Sequence, residues 1–274
     1  MQITRIGGPT LLVELDGWRI LIDPTFDPPG QRYDFGLGTS SVKTLGPALP
    51  LEALGPLDVV LVSHDHHADN LDTAGRAALP RATHVITTTS GARRLDLAHA
   101  RGLAAGETTS IESPGKGALR ITATPCRHGP PLSGPLVGDV IGFALRLQGR
   151  GHHDLWVTGD TVLHRNLLQT ARRLDVDVAI VNAGGVRFGL TGPIRYSMTG
   201  ADAVGLVTAL RPRVAIPAHY DGWSHFRDGE GGMRAAIRRA PADVRERFRW
   251  LPDGRSVDLS TPPHSSPPSE RTRP

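Results

Sequence analysis

The sequence predicts an α/β protein built from many short strands and few long helices. Three observations lead there: short apolar runs recur with helical patterns between them, 32 glycines and 23 prolines punctuate the 274 residues, and 39% of the chain is apolar. That balance excludes disorder as the main state. The length suits one large domain with a tail or two small domains, and no composition break demands two.

From the N-terminus, the β-rich runs Thr10 to Glu14 and Trp18 to Ile22 flank Asp16-Gly17 and read as a hairpin. A proline- and glycine-rich stretch holding Phe26, Tyr33 and Phe35 reads as a long loop to about Pro56. Buried strands are expected at Asp58 to Ser63 and His84 to Thr88, with a helix over about Ala92 to Ala100. Further strands are expected at Leu119 to Thr124, Ile141 to Leu147 and Leu155 to Thr158. A helix near Leu163 to Arg173 leads into a strand at Val176 to Val181. Thr199 and Asp202 have capping-box spacing ahead of the helical pattern Ala203 to Leu210, which Arg211-Pro212 stops before a strand at Val214 to Pro217. Residues 1–259 are expected to form the folded domain, and the proline- and serine-rich 260–274 a disordered tail.

Cys126 is the single cysteine, which excludes an internal disulfide and any CxxC metal knuckle. Metal binding would rest on the 12 histidines. Lys43 and Lys116 are the only lysines and the formal net charge is +4, so a nucleic-acid partner is not expected. No apolar run approaches the roughly 18 residues of a membrane span. The start MQITRIGGPT also lacks the sections of a signal peptide, so no membrane partner and a cytoplasmic location are expected.

The strongest chemical signal is SHDHHADNLD, Ser63 to Asp72, directly after a buried strand. A divalent ion needs neutral imidazoles and carboxylates at about 2.0–2.2 Å, and a turn leaving a strand can aim close-spaced residues inward. His128 in TPCRHG, Asp160 in WVTGDT and His219 in IPAHYDGW also lie at the ends of apolar runs. Singly each is weak; together they offer ligands for two ions and a carboxylate to bridge them.

With these residues in that order, the chain resembles the metallo-β-lactamase superfamily over about Ile3 to His225, most closely the branch of the ascorbate-phosphate lactonase and related cytoplasmic hydrolases. The resemblance implies a four-layer αββα sandwich. It also implies that His64, His66, His67, Asp69, His128, Asp160 and His219 form the candidate metal set, with Asp69 or Asp160 accepting a proton as well. Asp23 would orient a metal-binding histidine, and Trp223 and His225 would lie at the mouth of the site. The departure is in the first motif. With one inserted residue, His67-x-Asp69-Asn70 takes the place of HxDH, so Asn70 stands where a histidine belongs. His66 is then either a substitute ligand or a support behind the ligands.

One or two zinc ions are expected, with manganese or iron as alternatives at the position weakened by Asn70. The implied function is hydrolysis of a small, anionic ester, lactone or phosphodiester by a metal-activated water. Arg187 and Arg195, near Tyr196, would suit such an anion, although chance placement is the better explanation in an arginine-rich chain. Rival readings are an iron oxidoreductase of the same fold, a nuclease, and a mononuclear or non-catalytic metal-binding protein. A homo-oligomer is left open. Cys126 is expected to be packed, and His84, His99, His152, His153, His164 and His264 to be structural or on the surface.

Overall fold

The computed structural model describes residues 1–36, 38–131 and 134–260; His264 and most of the expected tail lie outside the described residues. The chain opens with β1 (Gln2–Gly7), β2 (Thr10–Leu15) and β3 (Trp18–Ile22), an antiparallel meander. A separate hairpin follows, β4 (Arg32–Gly36) and β5 (Thr39–Val42). The chain then returns through β6 (Leu57–Leu61), α1 (Thr73–Arg76), β7 (Ala82–Thr88), α2 (Thr89–Leu95) and β8 (Ala100–Leu103), whose strands continue the first sheet in parallel.

The second sheet begins with β9 (Thr108–Ser113) and β10 (Lys116–Pro125). After α3 (Gly134–Val137) come β11 (Ile141–Leu147), β12 (His153–Val157), α4 (Arg165–Arg173), β13 (Val176–Asn182), α5 (Gly200–Leu210) and β14 (Val214–Ala218). Two more helices, α6 (Gly229–Arg239) and α7 (Ala242–Arg245), precede β15 (Ser256–Asp258), which pairs with β1. The strand orders are β15-β1-β2-β3-β6-β7-β8 and β14-β13-β12-β11-β10-β9.

Period-two alternation explains why the sheets face each other. Leu11, Val13, Val59, Leu61, Val178 and Ile180 enter one shared core, whereas Leu12 and Val60 point to the outer face of the first sheet and Ala179 and Val181 to that of the second. Leu167, Ala203, Leu206, Met233 and Val244 of α4 to α7 cover the second sheet. The segment Leu51–Leu54, Leu71, Ala78 and Leu79 cover the first. The result is the expected αββα sandwich.

Several elements differ from the sequence expectation. The stretch read as one loop to Pro56 contains the β4–β5 hairpin, and β1, α1, β8, β9, α3, α6, α7 and β15 are further elements that the sequence reading does not include. The helix expected to reach Ala100 stops at Leu95, because Asp96 turns left-handed (φ 50°) and the chain enters β8. The capping box is present: Thr199 Oγ1 accepts from Asp202 N at 3.1 Å and Asp202 Oδ2 accepts from Thr199 N at 3.0 Å.

Candidate metal centre

Parallel pairing places successive strand ends side by side, and the residues just past those ends converge. In the first sheet, Ile22 pairs with Leu61, so Asp23 lies beside Ser63 and the histidine cluster. In the second, Val157 is level with Ile180 and Asn182 with Ala218, which aligns Asp160, Asn182 and His219. The antiparallel partner β10 delivers His128 to the same end. The halves are tied across the seam by Ile141 N to Ser63 O (3.2 Å) and His219 N to Gly8 O (2.9 Å).

Three imidazoles meet at that seam. His67 Nδ1 lies 3.1 Å from His64 Nε2 and 3.2 Å from His128 Nε2. The edge of a tetrahedron around a zinc ion with nitrogen ligands is about 3.4 Å, so the spacing fits one ion. Each outer ring is held from behind: His128 Nδ1 donates to the Tyr196 carbonyl at 2.6 Å, and His64 Nδ1 shares a hydrogen bond of 3.0 Å with Ser63 Oγ. Such backing fixes which nitrogen faces the ion. Burial and the neighbouring imidazoles keep His64 well below the usual histidine range, and push His67 down to about 3, so both offer lone pairs. Ligand atoms of His64, His128 and Asp160 lie within 4.8 Å of one another.

A second cluster adjoins the first through Asp160. Ligand atoms of Asp69, Asp160 and His219 also lie within 4.8 Å of one another, and all three residues are buried. Asp160 Oδ1 accepts from His219 Nδ1 (2.8 Å) and Asn182 Nδ2 (3.0 Å). Asp160 Oδ2, Asp69 Oδ1 and His219 Nε2 are buried without a hydrogen-bond partner. Unsatisfied buried polar atoms are costly, and a cation is the group this donor set suits. Burial opposes charge on the carboxylates, but His219 overrides it to hold Asp160 well below the ordinary range, and His225 and His219 do the same for Asp69.

Asn70 does not take a histidine's place. Its amide donates to Asp23 Oδ2 (3.2 Å) and Ser63 Oγ (3.3 Å). Asp23 accepts Ser63 N at 2.6 Å, and Ser63 Oγ in turn meets His64 Nδ1, so the contact of Asp23 with a histidine runs through Ser63. Burial raises Asp23 to about 7, against the pull of the Ser63 N–H. His66 lies against the trio of rings, 4.8 Å from His64 and 4.3 Å from His67 between ring centres, and its ligand atom falls within 4.8 Å of theirs; its Nε2 donates to the Val137 carbonyl, and its Nδ1 is buried without a hydrogen-bond partner. It packs so closely on Gly138 (φ +71°) that a Cβ there would sit 2.4 Å from the ring. Gly159 is required for similar reasons: at φ +63°, a Cβ would lie 2.6 Å from the Ile141 carbonyl oxygen, and this turn aims Asp160 inward.

Over the cluster lies a cavity floored by His67, Asp69, His128 and His225 and walled by Phe35, Phe188 and Tyr196. Phe35 comes from the β4–β5 hairpin and approaches His67 (5.3 Å between ring centres), Phe188 (5.7 Å) and His225 (5.2 Å). Trp223, expected at the mouth, is instead buried under the hairpin against Tyr33 at 5.1 Å and does not line this cavity, since the ring is needed to seat β4. Arg187 and Arg195 are outside the lining; among the described residues it contains no arginine or lysine. Cys126 donates to the Thr158 carbonyl at 3.0 Å, with its thiol pushed up by burial. His99 and His153 contact backbone carbonyls away from the site. Sequence reasoning missed Asn182, which sits at the end of an apolar run as the other site residues do, and the walls Phe35 and Phe188, which no periodic pattern marks.

Comparison with known proteins agrees with this geometry. A family model for the beta-lactamase superfamily domain matches residues 18–220. A protein of Opitutus terrae named "UPF0173 metal-dependent hydrolase" is 29% identical over 256 residues, covering 89% of this chain and 96% of the relative. Among solved structures, a possible metal-dependent hydrolase from Veillonella parvula superposes with TM-score 0.78 at 20% identity, covering 94% of this chain and 99% of that one. An isothiocyanate hydrolase from Delia radicum gut bacteria gives TM-score 0.76 at 21% identity, with the same coverage. The family match spans most of the chain, and the chain belongs to the metallo-β-lactamase superfamily.

Proposed function

We propose that this protein is a metal-dependent hydrolase of a small ester or lactone, with one ion held by His64, His67, His128 and Asp160 and another by Asp69, Asp160 and His219. The observation that carries the reading is the convergence of His64 Nε2 and His128 Nε2 on His67 Nδ1, at 3.1 and 3.2 Å, beside three buried donor atoms that have no partner in the protein. The relatives named as metal-dependent hydrolases support it. The nitrogen-rich position suits zinc, and the carboxylate-rich one admits manganese or iron.

Ions bound there supply a nucleophilic water at neutral pH and positive charge against a developing oxyanion. The chain's own groups do the rest. Asp69 Oδ1, buried and without a partner, is the acceptor for the water's proton. Asn182 Nδ2 donates to Asp160 Oδ1, so the carboxylate shared by the two clusters keeps one orientation. Phe35, Phe188 and Tyr196 exclude bulk water and seat an apolar flank of the substrate. The anionic substrate expected from the sequence finds no side-chain cation in that lining among the described residues, so a neutral ester or lactone is favoured over a phosphodiester.

The test is a panel of p-nitrophenyl acetate, p-nitrophenyl butyrate, δ-valerolactone and bis-p-nitrophenyl phosphate against zinc- and manganese-loaded protein. Neutral ester or lactone turnover that disappears in His128→Ala is the expected result. Fully loaded protein that turns over none of the four refutes the proposal.

A further inference from the structure

Asn70 leaves the carboxylate-rich position one nitrogen short, and another residue stands where it can make up the loss. His225, in the loop after β14, is 2% exposed, and its Nε2 lies 3.2 Å from Asp69 Oδ2. Neither ring nitrogen makes a well-aligned hydrogen bond. Apart from Asp69, its close neighbours are rings: Phe226 at 4.6 Å, Phe35 at 5.2 Å and Phe188 at 5.3 Å. A buried imidazole whose Nε2 faces only the Asp69 carboxylate and whose Nδ1 has no partner, in an aromatic surround, has a nitrogen lone pair to offer.

We infer that His225 is a nitrogen donor to the ion held by Asp69, Asp160 and His219, replacing the histidine that Asn70 is not. The inference rests on the metal centre proposed above. Two ligands on one ion at about 2.0–2.2 Å stand roughly 3.0–3.6 Å apart. His225 Nε2 at 3.2 Å and His219 Nε2 at 3.6 Å from Asp69 Oδ2 both satisfy that spacing, so the carboxylate lies between two imidazoles. His225 meets the cluster of Asp69, Asp160 and His219 through Asp69 and lines the cavity, so it would approach the ion from the face on which substrate enters. Asn70 is meanwhile committed by its amide to Asp23 and Ser63. The loop of His225 is tied to neighbouring chain, with Ser224 N donating to Val42 O at 3.0 Å and Arg187 N to His225 O at 3.3 Å.

The experiment is a zinc titration of chelator-stripped full-length protein, followed by calorimetry and by mass spectrometry of metal retained after gel filtration. The same titration with cobalt reports the second ion by its visible absorption. Wild type is expected to hold two equivalents, and His225→Ala to hold the first unchanged while the second weakens about 10–100-fold or is lost. Asn70→Ala is expected to keep both. If His225→Ala does not fold, as judged by circular dichroism, His225→Gln fills the same space with a poor ligand and is scored in its place. Two equivalents at wild-type affinity in the His225 variant overturn the inference, as does loss of the second equivalent in Asn70→Ala alone. Wild type that holds a single equivalent overturns it too while leaving the three-imidazole position standing, whereas wild type that binds none overturns the metal centre itself.

Discussion

Replacing Lys43 with methionine tests how the hairpin that covers the site is held. Lys43 Nζ lies 2.7 Å from Asp72 Oδ2, with side chains 3% and 0% exposed. Lys43 also stands 5.8 Å from the Trp223 ring centre, and its backbone N–H pairs with Gln31 O. Methionine keeps most of the stem and removes the charge. Breaking a buried pair from one side costs about 3–5 kcal/mol when the remaining charge is uncompensated. Asp72 retains three backbone donors, Phe26 N, Asp27 N and Gly75 N at 2.7–2.8 Å, so the loss should fall near the lower bound, about 3 kcal/mol. For a chain of this size that corresponds to a fall in Tm of roughly 6–12 °C. The measurement is thermal unfolding by circular dichroism at fixed metal concentration. Arg150→Met serves as the reference, because Arg150 is 46% exposed and its pair with Asp16 is worth about 1 kcal/mol at most. A Lys43→Met protein that melts with the Arg150→Met reference would refute the reasoning.

Three further outcomes are expected. Chelation should lower Tm, and added zinc should restore it, by about 4 kcal/mol when free metal is 1,000 times its dissociation constant; a melting curve indifferent to chelator counts against the proposed centre. Gly159→Ala, forced toward the Ile141 carbonyl at a positive φ, should lose about 1–3 kcal/mol and bind less metal, read by urea unfolding and metal content. Burial, helped by the charge of Arg127, lowers His164 from its ordinary 6.5 to about 4, so the unfolded chain takes up that proton first and stability falls as pH drops from 6.5 to 4. His164→Asn should flatten that limb of the stability curve relative to wild type, and an unchanged limb would remove His164 as its source.

The fold was legible where burial on both faces writes a continuous apolar run. LDVVL, VDVAIVN and VAIPA are strands buried on both faces, which marks a layered α/β fold, and the family resemblance narrows that to the sandwich. The edges were not legible, because β4 (RYDFG) and β9 (TTSIES) are largely exposed and their polar residues carry no core signal. α6 was hidden by three glycines in its first four residues, which local propensity reads as loop. In the site, the strand-end rule singled out every side chain of the two clusters. It could not decide between His66 and His67, and both rings pack against His64 and against each other. The committed amide of Asn70 and the approach of His225 to Asp69 depend on contacts between segments far apart in sequence.

His64, His67 and Asp69 leave the first sheet, whereas His128, Asp160 and His219 leave the second, and they meet only at the seam. An ion held at either position would therefore be bonded to both halves and act as a cross-link between them. Parting the sheets would break its coordination at once, so the rate at which bound metal exchanges would be a clock for the opening of the sandwich.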